Sequence, residues 1–516
     1  MQVTQALKGA VQMKPGCVAI IDGDRSRTWS EVGSRVARAA TALRELGVQP
    51  GERVAVLALN SDRYLELLFA VSWAGAVIVP LNTRWATAEV EAALADCGAA
   101  TLIVDDTFAD IGTQLKAAHP QLKCAYIGNQ AAPAGFLDYE AAITACAPME
   151  DMSGEGDELW AIFYTSGTTG MPKGVMLSQA NAFLAALTWI PTMNFSPNTR
   201  FLHVAGYFHI AGTQPALALT MAGGTHICTP KFDPALAMAA IGRHRVNYCF
   251  FIPTMLNMLL HHPDLARHDL SSVEYCQYAG GPTPEALLKL AMEKLPSWKL
   301  IQGYGQTEAS GMATSLQWEA HHGEGNACKR LATGRPAYGI ELRVVDPDGN
   351  EVPRRTVGEI AQRGSTVMLG YWGNPQATAA AVRNGWLFTG DAAWMDEDGY
   401  IYIVDRLKDM IVSGGENVYS KEVENAVSSH PAVRECAVIG IPDPTWGEAV
   451  HAVVVLKDGH TATAESVVAH CRTRIAGYKC PRSVEFRDAL PLSPTGKVVK
   501  PVLREPYWAG QARRVN

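Results

Sequence analysis

Apolar residues recur along this chain in two alternating rhythms. Val18 to Ile21, Arg53 to Leu59, Ala76 to Val79 and Thr101 to Val104 are short runs of the length and composition of buried strands. Between the first two, Val32, Val36, Ala39, Ala40 and Leu43 recur at three- and four-residue intervals, which predicts one face of a helix. Ser30 can cap that helix and Gly47 closes it. Asp62 to Ala74 and Ala86 to Cys97 predict two further helices. A strand–helix alternation of this kind predicts an α/β fold, with mostly parallel sheets covered by helices. It fixes no activity.

Further along, Leu159 to Phe163 reads as a buried strand, Ala180 to Trp189 as a helix, and Val246 to Phe251 and Thr254 to His261 continue the rhythm. The pattern then changes. Ile340 to Asp346 and Gly358 to Gln362 predict strands of a smaller β-barrel-like unit, separated by the turn Asp346-Pro347-Asp348-Gly349. Last come strands Glu435 to Ile441 and Ala449 to Leu456, a helix Ala464 to Ile475, and a strand Val484 to Phe486. They predict a separate small α+β domain. We place the division at 1–405 and 406–516.

Composition narrows the class. At 516 residues the chain is too long for one ordinary core. With 48% hydrophobic and 18% charged residues it has the makings of a globular protein with a large apolar interior. A net charge of −7 and no Lys/Arg-rich run leave no basic surface for nucleic acid. Eleven cysteines stand singly, without C-x-x-C or zinc spacing, which suits reduced thiols and a cytoplasmic location. No signal-peptide region opens the chain. The greasiest run, Leu67 to Leu81, is interrupted by Ser72, Gly75 and Pro80, so no transmembrane segment is expected.

The candidate chemistry lies in blocks. Tyr164-Thr165-Ser166-Gly167-Thr168-Thr169-Gly170-Met171-Pro172-Lys173 follows a strand and is small, hydroxylic and glycine-rich, ending on a lysine. Such a run can gather backbone N–H groups, hydroxyls and a cation around a polyphosphate. It is not a Walker A loop, because Pro172 stands where that loop needs glycine and no Ser or Thr follows Lys173. Phe208-His209 interrupts the pattern downstream. Gly280-Gly281-Pro282 is a turn after the strand Glu274 to Tyr278. Tyr304-Gly305-Gln306-Thr307-Glu308 combines a flat aromatic, bare backbone and a carboxylate that could hold a hard divalent cation. Asp391, read as following a strand and then Thr389-Gly390, could accept from ribose hydroxyls. Asp405-Arg406-Leu407-Lys408-Asp409, then Gly414-Gly415, and finally Lys497 in Pro491 to Lys497 complete the series. Taken alone, each has a bland reading as a loop, a packed histidine or a solvated face.

In this order, the blocks resemble the adenylate-forming superfamily of acyl-CoA synthetases, peptide-synthetase adenylation domains and firefly-type luciferases, and the resemblance covers essentially the whole chain. It implies an AMP-forming acyl-CoA synthetase with a large N-terminal domain and a small mobile C-terminal domain. By resemblance, Thr165, Ser166, Gly167, Thr168, Thr169 and Lys173 surround the ATP phosphates, and Thr165 and Glu308 take Mg²⁺. Tyr304, Asp391 and Arg406 hold the adenosine, and Gly281, Pro282, Gly305 and Thr307 also belong to the cofactor-binding site. Lys408 is the hinge, Gly414 and Gly415 meet coenzyme A, and His209 approaches nucleotide and acid. Lys497 is the adenylation lysine, so Lys497, His209 and Glu308 are the candidate catalytic residues.

The expected partners are a small-molecule carboxylic acid, ATP and CoA. A homodimer is left open. No carrier domain follows Lys497, which argues against a peptide-synthetase role. A luciferase-like oxidation is rarer. A non-catalytic nucleotide sensor is the reading from another class, and the presence of Lys497 and Glu308 weighs against it. Around the inferred acyl pocket stand Phe208, Ile210, Ala211, Gly212, Ala279, Gly280, Gly303, Gly311 and Met312, with few charges. An apolar acid is therefore expected. Medium- to long-chain fatty acids are the first choice, and aryl acids of the 4-coumarate or feruloyl kind the second.

Overall fold

Strands buried on both faces can assemble in parallel only if helices cover them, and this chain does so twice. The computed structural model describes residues 1–165, 172–281, 283–322, 329–414, 416–493 and 497–509, without the side chain of Lys408. One sheet has nine strands, in the order Arg335–Pro336, Thr314–Leu316, Lys299–Tyr304, Tyr275–Tyr278, Tyr248–Phe251, Arg200–His203, Thr225–Cys228, Val18–Asp22 and Arg25–Thr28. From Lys299–Tyr304 to Val18–Asp22 every pairing is parallel. The loops after His203, Phe251, Tyr278 and Tyr304 consequently leave from one edge. That edge carries His209, Gly281 and the segment from Tyr304 to Glu308. Ligands of open parallel sheets bind outside such carboxyl ends.

The second sheet has eight strands, with Leu159–Thr165 between Val77–Pro80 and Lys173–Ser178. Leu159–Thr165 runs antiparallel to Lys173–Ser178, so that Thr165 faces Lys173 across the ladder. Strand Gly370–Tyr371 pairs on the far side of Lys173–Ser178. The smaller β-rich unit is an antiparallel sheet of Glu341–Val345, Gly358–Arg363, Trp386–Met395, Val382–Arg383 and Ile401–Arg406. The C-terminal unit has five strands, Glu416–Val418, Ile411–Ser413, Gly447–Leu456, Val433–Asp443 and Ser483–Phe486, packed with helices Ser420–Ser428, Ala464–Arg472 and Lys500–Trp508. The fold is thus mixed α/β, a large N-terminal sheet domain with a smaller C-terminal one.

Three expectations need correction. The first long helix, Trp29–Glu45, is capped by Thr28 and not Ser30. Thr28 Oγ1 accepts from the Glu31 N–H at 3.3 Å, while the Glu31 carboxylate accepts from the Thr28 N–H. Glutamate three residues on makes Thr28 the better start, because the pair satisfies two orphan donors at once. Helix Gln179–Thr192 runs past Trp189 and through Pro191. Pro191 has no N–H to give the Leu187 carbonyl, and the helix ends one residue later, at Thr192. Asp391 does not follow a strand; it lies inside Trp386–Met395, just after Gly390, whose φ of +73° turns the backbone there.

The apolar clusters of the described residues fall into two sets along the chain. Those of the C-terminal unit draw on residues from Ile411 to Tyr507, and those of the rest on residues up to Ile403. Among the described residues no helix is long and apolar enough to cross a membrane. The Thr28 cap gives a direct test of the corrected helix start. Thr28→Ala should lower unfolding stability by about 1 kcal/mol in a urea titration, whereas Ser30→Ala should leave it nearly unchanged.

Candidate active site

Asp391 is where three parts of the fold meet. Tyr304 ends a central strand of the nine-stranded sheet, and its hydroxyl donates to Asp391 Oδ2 at 2.6 Å. Arg406, the last residue of Ile401–Arg406, is the cross-strand partner of Asp391 and places Nε 2.7 Å from Oδ1. Asp391 is only 3% exposed. Its neighbour Gly390 donates its N–H to Glu359 Oε1 at 2.8 Å, which holds the turn. Burial, with the Asp391 charge second, pushes the Tyr304 phenol up, and Asp391 foremost raises the Arg406 guanidinium. Beside Tyr304, a Cβ on Gly305 would stand 2.6 Å from the Gly311 carbonyl oxygen. Only glycine fits there.

A second group forms around Glu308. Thr165 Oγ1 donates to the Lys173 carbonyl at 3.4 Å, and the Lys173 ammonium lies 4.9 Å over the Tyr371 ring. The Tyr371 hydroxyl in turn donates to Glu308 Oε1 at 3.0 Å. Burial and then the Glu308 charge raise the Tyr371 phenol. Thr307, buried, opens the short turn Thr307–Ala309 that carries Glu308. Thr165, Lys173 and Glu308 are therefore brought together through Tyr371, a residue that sequence reasoning does not single out. Its one signal is its place in Gly370-Tyr371-Trp372, an aromatic pair beside glycine.

The third group joins the two units. His209 caps helix Ile210–Ala222, its Nδ1 accepting from the Ala211 N–H at 3.1 Å. Burial, and then the nearby positive charge of Lys497, lower its pKa to about 4. Lys497 comes from the C-terminal unit, where its N–H donates to Ser493 Oγ at 3.0 Å. The Ser493 carbonyl accepts from Arg84 of the large domain at 3.4 Å. Gly281 lies on the same edge, next to Pro253. Gly414 is farther along the chain, and a Cβ there would stand 2.5 Å from the Trp446 ring. Lys408 is in the short turn Leu407–Asp409, between strand Ile401–Arg406 and strand Ile411–Ser413. Ser166, Gly167, Thr168, Thr169, Pro282 and Gly415 lie outside the described residues.

The family of AMP-binding enzymes matches residues 7–372, and the C-terminal domain of AMP-binding enzymes matches residues 422–497. The chain is an AMP-binding enzyme. It belongs to the adenylate-forming superfamily, and its class is that of the AMP-forming acid–thiol ligases. A feruloyl-CoA synthase of Amycolatopsis is 41% identical over 497 residues, 96% of this chain and 97% of that one. A long-chain fatty-acid–CoA ligase of Mycobacterium tuberculosis is 36% identical, covering 94% of each. Among solved structures, an anthranilate CoA ligase in complex with anthranoyl-AMP superposes with a TM-score of 0.90 at 29% identity, covering 98% of this chain and 97% of that one. The enzyme is thus an ATP-using acyl-CoA ligase with CoA as co-substrate.

The influence of the Lys497 charge on His209 can be checked by titration. The His209 ring should stay neutral near physiological pH and take up its proton at about pH 4. Lys497→Met removes a repelling charge and should raise that midpoint, as read from histidine ring resonances by NMR. An unchanged midpoint would separate the two side chains.

Proposed function

We propose that residues 1–405 bind ATP and a hydrophobic carboxylic acid, and that residues 406–516 turn between two poses for two half-reactions. The carrying observation is that the chain leading to Lys497 meets the large domain, where Arg84 donates to the Ser493 carbonyl at 3.4 Å, and that the Lys497 charge is felt at buried His209. It presents a cation from the small unit to the edge where strand ends of the large domain converge. In the first half-reaction the acid carboxylate attacks the α-phosphorus of ATP, the bond to the β-phosphate bridging oxygen breaks, and pyrophosphate leaves. Negative charge grows on the phosphoryl oxygens in that transition state, so a fixed cation contributes most there. Lys497 supplies it. Tyr304, Asp391 and Arg406 hold the adenosine, and Thr165, Lys173 and residues 166–169 meet the phosphates. His209, neutral near physiological pH, adds no charge that competes with Lys497.

The residues fit Mg²⁺ in a particular way. Among the described residues no group of three His, Cys, Asp or Glu forms a cage. One carboxylate, Glu308, stands with one hydroxyl, Thr165, and magnesium is commonly held by one or two carboxylates together with substrate phosphates. When bound, the ion would neutralise charge on the phosphates; Tyr371, by donating to Glu308, orients the carboxylate that would hold it. Glu308→Gln should therefore raise the Mg²⁺ concentration needed for half-maximal pyrophosphate release while leaving the melting temperature within a few degrees. Unchanged Mg²⁺ dependence would remove Glu308 from that role.

In the second half-reaction the CoA thiol, losing its proton, attacks the acyl carbon, and AMP leaves with the electrons of the broken anhydride bond. This step uses the second pose, with Gly414 and Gly415 facing the site. Separate apolar cores allow the turn, because no apolar cluster of the described residues has to be opened. The acid is uncharged beyond its carboxylate and largely hydrophobic: around where a Gly303 Cβ would be stand the Gln277 amide at 3.0 Å, Met193 at 3.5 Å and Ala279 at 3.6 Å, none of them charged. Both a fatty chain and an aryl acid meet that description, and relatives are named for each.

Two variants separate the half-reactions. Lys497→Ala should abolish acyl-adenylate formation, yet a supplied acyl-adenylate should still pass to CoA. Lys408→Pro fixes φ near −65° and removes an N–H at the turn between the units. Frozen in the adenylating pose, it should release pyrophosphate with almost no thioester formed. Full thioester formation by Lys408→Pro, or normal adenylation by Lys497→Ala, would defeat the two-pose mechanism.

A further inference from the structure

A buried amide without a partner lies against the bare glycine of the acyl pocket. Gln277 is only 1% exposed, on strand Tyr275–Tyr278. Its Oε1 is buried with no hydrogen-bond partner among the described residues. Its Nε2 lies 3.0 Å from where a Gly303 Cβ would stand, so the amide reaches the bare backbone of Gly303. The surroundings are otherwise apolar. Phe250 is its cross-strand neighbour on one side and Ile301 on the other, and Met193 and Ala279 border the same opening. Tyr248, two residues before Phe250, is fully buried, and its hydroxyl also lacks a partner among the described residues. Gln214, bordering Gly311 at 3.8 Å, adds another buried unpartnered carbonyl oxygen.

Buried polar groups nearly always find partners, and one left over is costly enough to need an explanation. A hydrocarbon tail would seal these atoms away from water and leave them unsatisfied. A hydroxyl carried into the pocket would satisfy the Gln277 amide. Gln277 is level with Ile301, three residues before Tyr304 at the sheet edge. At the rise of a parallel strand that is about 10 Å, the reach from a carboxylate across a short unsaturated side chain and a benzene ring. Turning the amide over would present its NH₂ instead of Oε1, and a hydroxyl serves either end.

Resting on the adenylation reading above, we infer that Gln277 is a specificity residue which hydrogen-bonds a phenolic hydroxyl. The preferred substrates are then aryl acids hydroxylated at the end of the ring far from the carboxylate, and not alkyl acids. A site that spends a buried amide on a hydroxyl discriminates strongly against the analogue lacking it.

The test compares three acids by pyrophosphate release: 3-phenylpropenoate, its para-hydroxy derivative, and decanoate. The wild-type enzyme should favour the hydroxylated acid over both others by about 10- to 100-fold in kcat/KM. Gln277→Met conserves volume and removes the amide. It should erase that preference while keeping or raising turnover of 3-phenylpropenoate, which also shows that the variant is folded. A wild-type preference for decanoate or for the unsubstituted acid overturns the inference and leaves the adenylation reading standing. So does a hydroxyl preference that survives in Gln277→Met. If no acid releases pyrophosphate, the adenylation reading falls, and this inference with it.

Discussion

The Asp391 carboxylate is the constraint on which the site depends. Each of its oxygens is taken by a different element, Oδ2 by Tyr304 and Oδ1 by Arg406. One donor ends a strand of the nine-stranded sheet; the other ends the last strand of the small antiparallel sheet. An ion pair of this kind, with Asp391 buried and the Arg406 side chain 46% exposed, adds little net stability, because solvent screens the arginine and desolvation of the carboxylate offsets much of the attraction. Removing one partner is another matter, since it leaves a charge buried alone. The cluster is therefore better understood as a register device. It holds the nine-stranded sheet, the small sheet and the start of the turn toward the C-terminal unit in one geometry.

The C-terminal side grips that turn from the other direction. The Asp405 carboxylate accepts from the Ser420 N–H, and Lys500, which donates to the Ser420 hydroxyl, pairs with Glu424 at 2.8 Å. Asp409 pairs with Arg504 at 2.8 Å. Lys500 and Arg504 are four residues apart on one helix, hence on one face. The two acids flanking Leu407 and Lys408 are thus both anchored to the C-terminal unit, whereas Arg406 is anchored to the large domain through Asp391. The backbone left between the anchors is short, and rotation between the units must be absorbed there.

Much of this was legible in the chain. The alternation of strand and helix gives the layered fold, and Thr165, Glu308, Asp391, Arg406 and Lys497 could be picked out because each lies in a compact block. What could not be read is mostly long-range. Tyr371 matters through Glu308, 63 residues away, and nothing local to either residue announces the pairing. Gln277 reads as one more polar residue on a strand until its neighbours are in place and its carbonyl is found without a partner. The misplaced cap has a different cause: Ser30 and Thr28 are both competent caps, and the choice turns on Glu31, one weak interaction among several. Asp391 reads from the sequence as following a strand, because Gly390 looks like the end of one. Here Gly390 bends a longer strand without ending it.

The same economy governs both the hinge and the acyl pocket. A two-pose enzyme needs contacts between its units that are specific yet weak. Arg84 to the Ser493 carbonyl, at 3.4 Å, is a long polar contact of this sort. Replacing it by apolar packing would bury area worth about 25 cal/mol per Å² and trap one pose. A pocket that must choose among hydrophobic acids has the opposite need. Apolar contact alone separates acids by little, since one methylene is worth only about 1–3 kcal/mol, so selectivity has to come from groups that are costly when unmet. The polar contacts between the units lie where water can replace them on separation. The amide of Gln277 lies where water is excluded, and there a missing partner carries its full cost.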